Sequence, residues 1–130
     1  MLSSLENVMN ALLTVSTDSV YHYTAPANST RYIVWAEESE VENFVADNWK
    51  PGGTIEGTID LYTKDEDDDF IPQIPQALNS AGIAFELYSV QYEDETRFIH
   101  YEWVFRVRQD YGNDRISGTG SVDAGTEGSD

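Results

Sequence analysis

The stretch IAFELYSVQYEDETRFIHYEWVFRVR, residues 83–108, contains two runs rich in aromatic and β-branched residues on either side of a polar turn. In the second run the apolar side chains alternate with polar or charged ones along most of its length. Since successive side chains of a strand point to opposite faces of a sheet, this alternation predicts a half-buried strand with a strongly specified register. The stretch therefore predicts a β-hairpin that turns at Asp94 to Thr96. The predicted buried face of its second strand is Ile99, Tyr101, Trp103, Phe105 and Val107.

Three segments upstream also have the composition of strands. SVYHYTA (19–25) and RYIVWAEE (31–38) are rich in aromatic and β-branched residues, and PANST between them carries turn chemistry. Residues 54–63, TIEGTIDLYT, alternate strictly and predict a further half-buried strand. One face of that strand carries Ile55, Ile59 and Leu61, and the other carries Glu56, Asp60 and Tyr62.

Two segments have helical patterns. Leu2, Leu5, Met9 and Leu12 recur at steps of three and four residues, which predicts an amphipathic helix of about three to four turns. IPQIPQALNSAG (71–82) fits a second, short helix that ends at its glycine, Gly82. The elements together predict an α+β fold in one small domain, with a mixed, mostly antiparallel sheet and two helices packed on it. Their predicted order is helix-strand-strand-strand-helix-strand-strand.

The composition changes at about Gly112, where the remaining chain is mostly Gly, Ser, Thr and Asp. Such a segment has too few apolar side chains to offset its ordering entropy. We therefore predict an α+β domain over residues 1–110 and a flexible, acidic, Gly/Ser-rich tail over residues 111–130.

An acidic run directly precedes the second predicted helix. The spacing of its aspartates suggests a calcium loop, but position 6 of an EF-hand requires Gly and is Phe70, while position 12 requires Glu and is Gln76. The alternative is the solvated start of a helix, where carboxylates cap free N–H groups and face the positive end of the helix dipole. The run consists of Asp65, Glu66, Asp67, Asp68 and Asp69.

A long connection, SEVENFVADNWKPGG (39–53), joins two predicted strands and contains the apolar residues Val41, Phe44 and Trp49. Long loops in small domains are uncommon and are often functional. We predict that these three residues contact another molecule, because aromatic side chains dominate interface hot spots. In the alternative interpretation they pack back onto their own domain.

The chain has 24 acidic residues against 7 Lys and Arg, a formal net charge of -17. Such a chain repels nucleic acid and anionic lipid at long range, so specific nucleic-acid binding is not expected. It has no cysteine, which excludes disulfides and thiolate chemistry. Its N-terminus lacks a basic leader, and no apolar run is long enough to span a bilayer, so we expect a soluble cytoplasmic protein without membrane contact.

No motif assigns catalytic, cofactor-binding or metal-binding residues. The two histidines, His22 and His100, lie in strand patterns where a partly exposed imidazole is ordinary. No nucleophile elbow and no glycine-rich phosphate loop is present, and among so many carboxylates no spacing selects a catalytic pair. We therefore predict a protein that is not an enzyme and needs no cofactor.

The order of elements resembles that of the tail terminator or tail completion proteins of long-tailed bacteriophages and prophages. The resemblance covers Met1 to about Arg108 and rests on a combination of hydrophobic patterns. It implies a structural protein that assembles as a ring, expected to be a hexamer, on the end of the tail tube. The blocks that carry it are LENVMNAL, RYIVWAEE, GTIDLYTKDEDDDF, ALNSAGIAFEL and YEDETRFIHYEWVFRV.

The resemblance also implies the partners and location of the protein. The ring would contact the tail tube protein and the head-tail connector proteins, and DNA would pass through it. It would assemble in the bacterial cytoplasm and then remain in the virion, at the tail end facing the head.

Two hypotheses from other classes stay open at this stage. An acidic protein can mimic DNA and inhibit a host nucleic-acid-binding protein, provided its carboxylates form long rows over one convex face. The second hypothesis is that the protein is a small enzyme of unrecognised type.

Overall fold

The computed structural model describes residues 1–41 and 53–109, which form two helices and five strands. The predicted α+β fold and the predicted order of its elements are confirmed. The elements are α1 (Ser3–Leu13), β1 (Val20–His22), β2 (Tyr32–Val41), β3 (Thr54–Thr63), α2 (Phe70–Ser80), β4 (Ala84–Tyr92) and β5 (Ile99–Arg108).

The five strands form one mixed sheet in the order β1-β2-β3-β5-β4. β1 pairs with β2 in parallel, and every other pair is antiparallel. The predicted hairpin is confirmed as β4 and β5, and its turn places Arg97 at a positive φ of 65°. The Arg97 N–H donates to the carbonyl of Glu93 at 2.8 Å, which closes the turn. β1 is shorter than predicted, because Tyr23, with φ 78°, leaves the strand conformation.

Both helices pack on the same face of the sheet. The predicted apolar faces of β3 and β5 are confirmed, since Ile59 lies opposite Trp103 and both are buried. The long apolar alternation of these two central strands explains why one face attracts both amphipathic helices. The buried core consists of Leu5, Val8, Ala11, Leu12, Ile33, Trp35, Ile55, Ile59, Leu61, Phe70, Ile74, Leu78, Ile83, Trp103 and Phe105.

α2 ends at the predicted glycine. Gly82 has φ 72°, a left-handed conformation that glycine adopts without strain, and the following N–H of Ile83 donates to the carbonyl of Leu78 at 3.0 Å. The helix contains Pro75 beyond its first turn. Proline is tolerated in the first turn of a helix, but Pro75 lies beyond that turn. It has no N–H to donate to the carbonyl of Ile71.

Gly57 is required in β3 by close packing rather than by backbone conformation. A Cβ atom added there would collide with the carbonyl oxygen of Ala36 and with the ring of Phe105. The Phe105 ring, which is fully buried, thus lies directly over the β3 backbone.

Candidate functional site

The face of the sheet opposite the helices, called the open face below, carries the polar residues of the central strands. Side chains of directly paired residues point to the same face, so the registers of β2, β3 and β5 define its rows. One row pairs Tyr32 with Tyr62 and Tyr62 with His100; the next pairs Asp60 with Glu102. These side chains are partly buried rather than fully solvated.

The first of these rows, together with the ring of Phe98, forms an aromatic ladder made of Tyr32, Tyr62, Phe98 and His100. The Tyr62 ring stacks on Tyr32 at 4.8 Å and on the His100 imidazole at 4.3 Å between centroids. Phe98 meets both tyrosine rings edge-on, at 6.0 and 6.1 Å. Burial raises the pKa of Tyr62 to about 12, helped by the neighbouring charge of Asp60. The ladder therefore holds the His100 ring in a fixed orientation.

Beside the ladder lies a cluster of three ionisable side chains, Asp60, His100 and Glu102. The His100 Nε2 atom lies 2.7 Å from Asp60 Oδ1, and one ligand atom of each residue lies within 4.8 Å of the other two. The hydrogen bond to Asp60 raises the pKa of His100 above its ordinary value. Burial and then the charge of Asp60 raise the pKa of Glu102. This arrangement, called the open-face triad below, is suited to binding a cation or exchanging a proton.

This triad could not be found from the sequence, because Asp60 lies 40 residues before His100 and only the β3–β5 register brings it beside His100 and Glu102. The prediction that His100 is an ordinary, partly exposed strand residue omitted its hydrogen bond with Asp60. Each of the two neighbouring strands carries an acidic residue at a polar position, Asp60 on β3 and Glu102 on β5. The sequence pattern alone does not show that these two positions are paired.

The second histidine also lies beside a carboxylate. His22 Nε2 lies 2.8 Å from Glu37 Oε1, and its ring stacks between Tyr23 and Trp35 at 3.8 and 3.9 Å. The Tyr23 hydroxyl donates to Glu37 Oε2 at 2.6 Å. Burial alone would raise the pKa of Glu37, but the hydrogen bonds from Tyr23 and His22 outweigh it and lower that pKa.

The acidic run at Asp65 to Asp69 is a helix start, as one interpretation predicted, but it is not solvated throughout. Asp68 is buried, and its carboxylate accepts hydrogen bonds from the Thr63 hydroxyl at 2.6 Å and the Phe70 N–H at 2.9 Å. Arg31 Nε donates to the same carboxylate at 2.8 Å. Burial opposes ionisation of Asp68, yet these donors together lower its pKa. Asp68 therefore holds the start of α2 against β3. The prediction of a solvated run is wrong for this residue.

The predicted interface residues fall only partly within the described chain. The connection predicted from Ser39 is wrong at its beginning, because β2 continues through Val41, which pairs with Thr54. Backbone hydrogen bonding to β3 extends the strand beyond the end of its aromatic and β-branched run. Phe44 and Trp49 lie outside the described residues, as does the predicted tail over residues 111–130, so these remain predictions.

An exposed apolar surface that the sequence did not reveal lies on β4, which forms one edge of the sheet. Four of its large side chains are 48–68% exposed although they are apolar or aromatic. A register shift between Leu87 and Ser89 marks a bulge in the strand. This β4 edge patch borders both faces of the sheet edge, because Tyr88 at the bulge lines a groove of the open face while the other three residues pair with core-facing residues of β5; it consists of Leu87, Tyr88, Val90 and Tyr92.

Comparison with known proteins gives a weak similarity of fold. No family model matches the sequence, and no curated protein matches it. Among solved structures, the fold is similar to a chain from the virion of a native gene transfer agent particle, with 13% identity and a TM-score of 0.47. The similarity covers 78% of this chain and 90% of that chain. At this identity and TM-score it does not establish a shared family or function.

The helices of the described residues are all too short or too polar to cross a membrane.

Proposed function

We propose that this protein is a structural component of a phage or prophage particle, which caps the tail tube as a ring and provides the surface for head-tail joining. The observation that carries an assembly role is the β4 edge patch. The sequence resemblance supports the specific place in the particle and the expected hexamer. It also supports the partners, which are the tail tube protein and the head-tail connector proteins. In this proposal the chain has no catalytic activity.

The β4 edge patch has the physical properties of a subunit contact. An edge strand presents unpaired backbone N–H and C=O groups, and soluble proteins usually protect such edges with charges, proline or a covering element. Here the strand carries a bulge and the exposed Glu86, but it is nine residues long and also exposes two tyrosines, a leucine and a valine. Aromatic residues are enriched in interfaces because they bury large areas at low entropic cost. We infer that the patch contacts a neighbouring copy in the ring.

The strong acidity suits a channel for DNA. Carboxylates on a channel wall repel phosphates, so DNA can slide without binding. On the open face a groove of about 500 Å³ is lined in part by Glu38, Glu56, Glu86 and Glu102. The same charge opposes assembly of isolated subunits, since each carries -17. Salt screens this repulsion, with a Debye length of about 10 Å at 0.1 M.

The first experiment measures self-association by sedimentation velocity at increasing salt, together with binding to purified tail tubes by electron microscopy. We expect a weakly associating protein whose oligomers gain population as salt rises, and rings on tube ends. Val90→Lys should abolish both. Gln76→Lys, which adds the same charge at an exposed position of α2, should not.

Two results would contradict the proposal. One is a monomer at all salt concentrations that also fails to bind tail tubes. The other is an equal effect of the two lysine substitutions, because the β4 edge patch would then have no special role. A monomer that instead competes with DNA for a host nucleic-acid-binding protein would favour the DNA-mimic alternative.

The second experiment concerns the segment after Val41. We propose that Phe44 and Trp49 contact a neighbouring subunit or the tube, with Val41 at the base of the segment. Replacing Phe44 and Trp49 together by Ala should leave thermal stability nearly unchanged while infected cells accumulate overlong or unjoined tails. A loss of several kcal/mol of stability would show that these residues are core aromatics instead.

The proposed sequence of locations follows from the same role. The protein is made and assembled in the bacterial cytoplasm, and it then becomes part of the virion at the tail end facing the head. Fractionation of an infected culture should find the protein both in the cytoplasm and in purified particles. Its absence from purified particles would contradict this location.

A further inference from the structure

The open-face triad is held by two adjacent central strands rather than by loops. Asp60 of β3 lies directly opposite Glu102 of β5, and His100 is two residues before Glu102 on the same face. Sites built on the strands of a rigid sheet keep their geometry better than sites on loops. The stacked Tyr62 ring further restricts rotation of the His100 imidazole. The three side chains are therefore preorganised toward a common point.

The triad has more negative charge than its surroundings neutralise. The arginine ion pairs of the described chain use Asp68 and Glu56, and no Lys or Arg of residues 1–41 and 53–109 forms one with Asp60 or Glu102. Two further carboxylates, those of Glu38 and Glu93, add to the negative potential at the triad. Asp60 and His100 are less than one-fifth exposed, so water screens this charge incompletely.

A polar group of β4 also lies at the same place. Ser89 of β4 lies directly opposite Glu102, so its side chain faces the triad. Its hydroxyl oxygen is buried and has no hydrogen bond of ordinary geometry, although it lies close enough to Glu102 to lower the pKa of that carboxyl. A water bound to a cation beside Glu102 would give this hydroxyl a hydrogen bond of ordinary geometry.

We propose that Asp60, His100 and Glu102 form a binding site for a divalent transition-metal ion, with Zn²⁺ as the best-fitting ion. The mixed nitrogen and oxygen donors suit Zn²⁺, whereas calcium and magnesium prefer oxygen ligands alone. Zn–N and Zn–O bonds are about 2.0–2.2 Å long, and tetrahedral donors lie about 3.4 Å apart. Movements of about 1–1.5 Å by side-chain rotation suffice, because the triad donors already lie within 4.8 Å of one another. Three protein ligands leave a position for water, next to Ser89.

This site is distinct from the acidic run, whose aspartates were excluded as an EF-hand loop. It also does not depend on the tail-capping role, because the argument uses only the described side chains of β3, β4 and β5. The inference can therefore fail while the proposed function holds, and the reverse is also true.

The test is calorimetric titration of the full chain with ZnCl₂ at 0.15 M salt. We expect one ion per chain with a Kd on the order of 10 µM or tighter. His100→Gln should weaken binding about 100-fold or more, since even partners that only orient a ligand contribute 10–100-fold. Should His100→Gln not fold, as judged by circular dichroism, Glu102→Gln carries the same expectation. Co²⁺ substituted for Zn²⁺ gives a second readout, because its visible absorption reports the ligands directly.

The chain provides matched controls. His22→Gln removes the other histidine, which also pairs with a carboxylate at 2.8 Å, and it should leave Zn²⁺ affinity unchanged. Asp65→Asn with Asp67→Asn tests the acidic run in the same way. Three results would overturn the proposal: the absence of saturable binding, an equal loss in the His22 and His100 variants, or a loss of binding on neutralising the acidic run.

Discussion

Replacing Asp68 by Ala should lower the free energy of unfolding by about 3 kcal/mol. The magnitude follows from the groups that lose their acceptor. The buried Thr63 hydroxyl and the Phe70 N–H both donate to the Asp68 carboxylate, and each buried donor left unpaired costs about 1–3 kcal/mol. Arg31 contributes less, because its side chain is 46% exposed and water can solvate the freed guanidinium. About 1.5 kcal/mol for each of the two donors gives the total.

Urea unfolding followed by tryptophan fluorescence measures this loss, since Trp35 and Trp103 are buried. With a slope of about 1–2 kcal/mol per M urea, the midpoint should fall by about 1.5–3 M. Asp67→Ala is the matched control. It changes the same residue type in the same acidic run at an exposed position, so it should shift stability by less than about 0.5 kcal/mol.

Two results would refute this reasoning. If Asp68→Ala costs less than about 1 kcal/mol, the hydrogen bonds of the carboxylate contribute little and the start of α2 is held by apolar packing. If Asp67→Ala costs as much as Asp68→Ala, the effect belongs to the charge of the whole run rather than to one buried side chain.

The remaining predictions concern pH and backbone packing. The folded-state pKa of Asp68 is lowered, so its contribution to stability is present above its ordinary value of 3.8 and is lost as pH falls below it. Acid titration of unfolding should therefore show a steeper loss below that pH in the native protein than in Asp68→Asn. Gly57→Ala should lower the free energy of unfolding in urea by about 1–3 kcal/mol, because the new Cβ atom would collide with backbone and with the Phe105 ring. Pro75→Ala should raise the melting temperature and add about 1–3 kcal/mol, since it restores a backbone donor inside α2; an unchanged melting temperature would contradict it.

Local pattern was sufficient to predict most of the fold. The alternation in residues 54–63 and 97–108 identified two central strands and their buried faces, because a strand with one apolar face has only one favourable orientation. Gly82 marked the end of α2, since a left-handed residue is needed there and glycine adopts it without strain. The predictions that were wrong, such as the beginning of the connection at Ser39, lie at element boundaries where hydrogen bonding to a neighbouring strand overrides composition.

The sequence by itself determined the fold class, the order of elements, the hairpin and the faces that form the core, because these follow from periodicities of two and 3.6 residues. Only the tertiary structure decided which distant residues meet. The strand order placed β4 at an edge with its apolar side chains exposed, and the β3–β5 register brought Asp60 beside His100 and Glu102. It also buried Asp68 against Arg31 while the other acids of its run stayed exposed. Such contacts depend on pairing between segments far apart in the chain, and local pattern carries no information about that pairing.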